Sequence, residues 1–266
     1  MKSYTAEIVS SGFPGLRGLP DRIRRAQLDS YVERVVDRDI AELGTKVRSP
    51  SAVKRWLAAY AAATATTTTH TKIAAAANPG TREQPSRTTL SSYRDALERL
   101  FIVDSLPGWL PTNGRLSELA ASPKHHVADP ALAVAVLGLD ESALLSGGDR
   151  GATAFRDGPF LGALFESLVA LNMRVYAQRS EAQVAHFRMH RGDHEVDLIV
   201  ERRDGRCVGL AVKLSPIVND DDVRHLIWLR DRIGSDMLDM AIITTGEHAY
   251  RRPDGVAVIP AALLGP

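Results

Sequence analysis

Between His194 and Ser215 the chain reads HEVDLIVERRDGRCVGLAVKLS. Glu195 and Asp197 open the stretch, and Lys213 stands near its end. Alternation predicts two strands. Glu195, Asp197, Ile199 and Glu201 share one face of the first; Gly209, Ala211 and Lys213 share one face of the second. Carboxylates and an ammonium on one side of paired strands suit a working metal site, the remnant of one, or surface charges. Register decides which. A two-residue Asp204-Gly205 turn sets Asp197 opposite Val212, whereas an odd loop, with Gly205 at positive φ beside a bulge, sets it opposite Lys213. The odd loop is expected, because it gathers both apolar sets on one side. An Asp197–Lys213 pair left exposed would contribute little.

The other reactive side chains narrow the chemistry. Cys207 is the single cysteine of 266 residues, which excludes an intramolecular disulfide and any multi-cysteine zinc site. No His/Asn arrangement accompanies it, so it reads as a packing residue. His125 and His126 are strand neighbours and face opposite ways. His225 has Leu229, not a ligand, one turn on. Asp220, Asp221 and Asp222 read as the acidic first turn of a helix. The loop SGGDRGA lacks a following Gly-Lys-Ser/Thr, so no phosphate-binding P-loop is expected.

These residues need a scaffold, and the chain supplies an ordinary one. Net charge is +1, so nothing draws the whole chain to nucleic acid. No apolar run approaches the ~20 residues of a membrane helix, and MKSYTAEIVSSGFPG has no apolar signal core. The expected compartment is the cytoplasm, with no membrane partner.

The first fifteen residues read as turn-rich. A helix is predicted from Asp21 to Leu43, through Leu28, Tyr31, Val32, Val35, Val36 and Ile40. Ser49 or Ser51 caps a second helix, residues 64–70 form its end and a loop, and TKIAAAANP gives a third, short helix. Ser86 or Thr88 caps a fourth, which buries Leu90, Tyr93, Leu97 and Leu100. A strand from Phe101 to Trp109, a loop over 110–124 and a return strand at 125–129 complete the order of a winged helix-turn-helix. Arg87, Thr89, Ser92 and Arg94 lie on the outer face of its last helix and suit phosphate and base contacts. The same fold also serves as a protein–protein adaptor.

From Pro159 the organisation changes. FLGALFESLVALNM predicts an amphipathic helix, with strands at 174–178 and 183–189 before the opening pair. DDVRHLIWLRDRI predicts a helix packed on a sheet, and MAIITT and VAVIP two buried strands. The expected fold class is α/β (α+β overall): a helical, winged-helix N-terminal half, then a mixed-sheet α/β domain. The expected divisions are 1–48, 49–150 and 151–266.

Glu166 in a helix, Asp197 in HEVD and Lys213 in LAVKLS resemble the Glu…Asp…(Asp/Glu)-x-Lys pattern of restriction-endonuclease-like folds. SGFPGL, YVERVVDRDI, TTLSSYRDALERLFIVDSLPGW, HHVADPAL, GALFESLV, HEVDLIV and LAVKLS also resemble, in that order, the DUF4143 region that follows the ATPase module of prokaryotic AAA-type ATP-binding proteins. The resemblance implies a winged helix followed by a nuclease-like domain, here without the ATPase module, as the C-terminal part alone or a truncated product. In an active nuclease of this type Asp197 and an acid two residues before Lys213 would hold Mg²⁺, and Lys213 would polarise the nucleophile or the developing oxyanion. Ala211 stands where that acid is expected; Glu195 and Glu166 are the substitutes on offer. The expected function is a non-catalytic DNA- or protein-binding module with a degenerate nuclease-like site. The alternatives are a Mg²⁺-dependent DNA nuclease using Glu166, Asp197 and Lys213, and a regulatory or self-associating subunit of a separate ATPase.

Overall fold

The computed structural model describes residues 2–45, 47, 49–78, 86–110, 122–145, 159–189 and 192–265. They fall into two compact units, Lys2–Ser105 with His125–Ser167, and Leu106–Lys124 with Leu168–Pro266.

The first unit is helical. The N-terminus is not a run of turns: α1 (Lys2–Ser10) and α2 (Pro14–Arg17) flank Ser11, whose φ of 67° breaks the helix. Asp129 holds that break from 118 residues away. Its Oδ2 accepts from Ser11 Oγ at 2.5 Å and from the Gly12 N–H at 2.8 Å. Its Oδ1 accepts from the Ala131 N–H at 2.8 Å and so caps α8 (Pro130–Val136). One buried carboxylate thus joins the SGFPGL and HHVADPAL stretches.

The expected long helix forms as α3 (Asp21–Arg34), one π turn over Val35–Asp39, and α4 (Ile40–Glu42). The wider turn occurs where Val35, Val36 and Ile40 are all buried. Ser49 caps α5 (Pro50–Ala62), Thr69 caps α6 (His70–Ala77) and Ser86 caps α7 (Arg87–Arg99), each accepting a backbone N–H with its side-chain oxygen. α5 packs on α6 and α8, and α4 on α7. No strand as long as Phe101–Trp109 forms: Val103 bridges Val127 in this unit, and Leu106 bridges Lys124 in the other. α9 (Glu141–Leu145) follows α8, and α10 runs over Pro159–Arg179. The strand expected at 174–178 is therefore helix. Val175 is exposed while Ala177 is buried, so the apolar run there was read with the wrong period. α10 is long and apolar enough to cross a membrane by length and composition, against the expectation of no such run, but Leu164, Phe165, Val169 and Ala170 are buried within the protein.

The second unit is built on a six-stranded mixed sheet, in the order β1-β2-β3-β4-β6-β5. The strands are β1 (Gln183–Arg188), β2 (Glu195–Glu201), β3 (Cys207–Val212), β4 (Met237–Thr244), β5 (Tyr250–Arg251) and β6 (Ala257–Pro260). β3, β4 and β6 run parallel, and the outer pairings are antiparallel. Consecutive Leu198 and Ile199 are both fully buried, so the sheet is covered on both faces. α11 (Asp220–Ile233) covers one face, starting from a capping box between Asn219 and Asp222. It presses closely: a Cβ on Gly209 would lie 3.1 Å from Leu226 Cδ2, so any side chain there requires Leu226 to shift by a few tenths of an ångström. The fold is α/β, with a helical N-terminal half and a mixed sheet in the C-terminal part.

Candidate functional site

The β2–β3 connection is the odd loop. Arg202 and Arg206 close it through the Arg202 N–H and Arg206 carbonyl at 2.9 Å, and Gly205 supplies φ of 81°. The register is two residues away from the expected one. Leu198 pairs with Leu210, so one step further Asp197 stands opposite Ala211 and not Lys213.

A second irregularity aims Asp197. Val196 and Ile199 both join the core that contains Val223, Leu226 and Leu229 of α11, although residues three apart normally face opposite ways. The β1–β2 register explains it: Ala185 pairs with Ile199 and Phe187 with Val196, so Asp197 and Leu198 together oppose His186. This bulge lets Asp197 Oδ2 accept the Val212 N–H at 2.8 Å, a donor for which the ladder provides no carbonyl.

The cation beside Asp197 is Lys124, which sequence reasoning passed over. Its side chain is 1% exposed, and Nζ lies 2.8 Å from Glu195 Oε1 and 3.4 Å from Asp197 Oδ1. Arg188 Nη1 takes the other Glu195 oxygen at 2.9 Å. Lys213 pairs instead with Asp222 Oδ1 at 3.4 Å, on α11. Among the described residues Asp197 and Lys213 form no ion pair with each other. The signal for Lys124 was a lysine beside two histidines, at the expected end of the wing loop over 110–124.

Electrostatics follow from burial. Burial alone would raise the Glu195 carboxyl, but the charge and hydrogen bond of Lys124, with Arg188 and His186, hold it below the usual range. His186 is fully buried, and burial, then the Lys124 charge, push it down to about 4 against the pull of the Ser122 carbonyl. It is neutral at pH 7. Its Nε2–H donates to Ser122 O at 3.1 Å, and Nδ1 finds no hydrogen-bond partner among the described residues.

Mg²⁺ does not fit this arrangement. It needs near-octahedral oxygen ligands at about 2.0–2.1 Å and keeps waters. Here each carboxylate has one oxygen committed to an N–H donor and turns the other to Lys124. Ala211 contributes no ligand; Glu166 lies on α10. Among the described residues no three His, Cys, Asp or Glu side chains gather as a metal-holding group.

Three of the four expected contact residues on α7 have partners on or beside their own helix. Thr89 serves the Ser86 cap, with Oγ1 2.9 Å from Ser86 Oγ. Ser92 Oγ donates to the Thr88 carbonyl at 3.0 Å. Arg94 meets Asp95 at 2.9 Å and Glu98 at 3.7 Å. The Arg87 side chain lies outside the described residues. Cys207 is buried, which pushes its thiol up to about 12. His225 does have a histidine partner, across the fold: its Nδ1 is 3.1 Å from His194 Nδ1. Arg224 can only donate, so His225 Nε2 accepts from it at 3.2 Å, and the Nδ1 proton is left for His194.

Two family models match, both domains of unknown function: DUF8612 over residues 1–143 and DUF4143 over residues 161–264. The chain belongs to the DUF8612 family and carries a DUF4143 domain. The resemblance to DUF4143 thus holds for the part with the sheet, and the helical half has a family model of its own. Across both domains the chain is 27% identical, over 237 residues, to the uncharacterized proteins Mb2031c of Mycobacterium bovis and Rv2008c of Mycobacterium tuberculosis. The match covers 88% of this chain and 47% of each relative, so the chain spans about half the length of the curated relatives it matches. No solved structure matches it. Lys124 falls in the DUF8612 match, whereas Glu195 and Asp197 fall in the DUF4143 match.

Proposed function

We propose that this DUF8612–DUF4143 chain is a non-catalytic interaction module whose sheet descends from a nuclease-like site. The observation that carries the reading is the state of Asp197: one carboxylate oxygen takes the Val212 N–H, the other faces Lys124, and Ala211 lies across the ladder. Both oxygens are engaged by N–H donors, so a metal would have to compete with them to organise a bound water. The partner is a protein rather than DNA. α5, α6 and α7 precede the Val103–Val127 bridge, the order expected of a winged helix, but Ser92 donates to its own helix, Thr89 Oγ1 sits against the Ser86 cap, and Arg94 is flanked by two acids. The family resemblance supplies the class of partner, an AAA-type ATPase module, and the cytoplasm is its compartment.

The test incubates wild type and Asp197→Ala with supercoiled and single-stranded DNA in Mg²⁺ or Mn²⁺. Both proteins should leave the DNA intact; cleavage that Asp197→Ala abolishes would overturn the reading. Mobility shifts across a salt series check the choice of partner. A steep negative log–log slope would return the outer face of α7 to nucleic acid. Light scattering of the chain mixed with an AAA-type ATPase from the same genome should show a complex.

A further inference from the structure

We propose that Lys124 is a built-in cation, occupying the position between Glu195 and Asp197 that a divalent ion would take, and that it clamps the Leu106–Lys124 bridge to β2. The inference rests on the reading of a non-catalytic site and goes beyond it, because it says what replaced the metal.

Four observations support it. First, each carboxylate has a single oxygen left after its other commitments, and those two oxygens, Glu195 Oε1 and Asp197 Oδ1, converge on Nζ. They are the atoms a bridging ion would use. Second, two cations already face the two acids, Lys124 and Arg188 against Glu195 and Asp197. A divalent ion added here would lie against the buried Lys124 ammonium, and like charges repel. Third, Leu106, the bridge partner of Lys124, leads directly into residues fastened to β1, the neighbour of β2. The Trp109 N–H donates to the His186 carbonyl at 2.7 Å, the His186 N–H to the Pro107 carbonyl at 2.9 Å, and Lys124 and Leu106 exchange backbone bonds at 2.8 and 2.9 Å. Fourth, the bulge at Asp197 and Leu198 turns Asp197 from the ladder toward Lys124. The bulge thus serves an ammonium.

Removing the ammonium should uncover the ion site. Lys124→Met keeps the length of the stem and leaves two facing carboxylates. Wild type should show no Mn²⁺ binding by electron paramagnetic resonance and no change in melting temperature between EDTA and Mn²⁺. Lys124→Met should bind one Mn²⁺ and melt higher with it, and Glu195→Gln in the same background should lose at least tenfold of that affinity. Where Lys124→Met does not fold in EDTA, refolding with and without Mn²⁺ reads the same gain. Mn²⁺ binding by wild type that Asp197→Asn abolishes would overturn the proposal, as would a Lys124→Met protein indifferent to Mn²⁺ in both formats. DNA cleavage dependent on Asp197 would sink the functional reading instead, and these binding measurements do not use DNA, so the two failures are distinguishable.

Discussion

Two lysines compete for the role of cation beside Asp197, and replacing each by methionine weighs them. Lys124 is buried and contacts both acids. Its loss leaves Glu195 and Asp197 facing one another with Arg188 as partial compensation, and breaking a buried pair in this way costs roughly 3–5 kcal/mol. Lys213 is 43% exposed and meets Asp222 at 3.4 Å. A pair of that kind contributes about 0–1 kcal/mol. Urea unfolding should separate them clearly: with a slope of about 1–3 kcal/mol per molar, Lys124→Met shifts the midpoint by at least about 1 M. Trp109 and Trp228 report on the sheet unit and Trp56 on the helical one. A Trp56→Phe background therefore makes the fluorescence specific to the unit that holds both lysines. Equal costs for the two substitutions, or a Lys124→Met cost under about 1 kcal/mol, would refute the reasoning.

His186 predicts how stability depends on pH. Its folded pKa of about 4 lies below the unfolded value of 6.5, so between those values the unfolded chain binds more protons and stability falls on acidification. The loss approaches about 3 kcal/mol near pH 4, and His186→Asn should flatten the curve measured from pH 4.5 to 7.5. Glu195 has the acid's behaviour: its depressed pKa contributes stability above about pH 4.5, lost as pH falls through the folded value. Cys207 should resist iodoacetamide at pH 8 in the native protein and react fully in urea; rapid native labelling would contradict its buried thiol. Phe101 sits at φ 55°, 80% exposed, just past the end of α7, so Phe101→Gly should stabilise by about 1 kcal/mol in thermal melts, and a loss would show that the ring is held by contacts.

The sequence made much of this legible. Ser49 and Ser86 announced their helices as caps, β2 and β3 were visible in their alternation, and Gly205 marked an odd loop. What escaped had a common cause, namely dependence on distant residues. The period-two count along HEVDLIV could not reveal the bulge, because that is set by β1 across the ladder. Asp197 and Lys213 looked like partners for a separate reason: the loop closes at Arg202 and Arg206, which puts the β2–β3 register two residues from the expected one. Lys124 was hidden because burial of a lysine depends on the two acids that receive it, more than seventy residues downstream. Ala211 could be recognised as a missing ligand, but not the ammonium that stands in for the missing charge. At the start of the chain Gly12, Pro14 and Gly15 read as turns, while the carboxylate that Ser11 meets at its break, Asp129, lies 118 residues away.

That last contact sets a timetable for synthesis. Ser11 and Gly12 leave the ribosome well over a hundred residues ahead of the carboxylate that fixes them. At about 5–20 residues per second, the interval is roughly 6–24 s. Through it α1 and α2 have no Asp129 to close against, and Ile8, fully buried in the finished protein, has no α8 to pack on. The N-terminus is thus among the first parts made but is secured only once about half the chain has followed, so a nascent chain stalled before residue 129 should present it to proteases and chaperones.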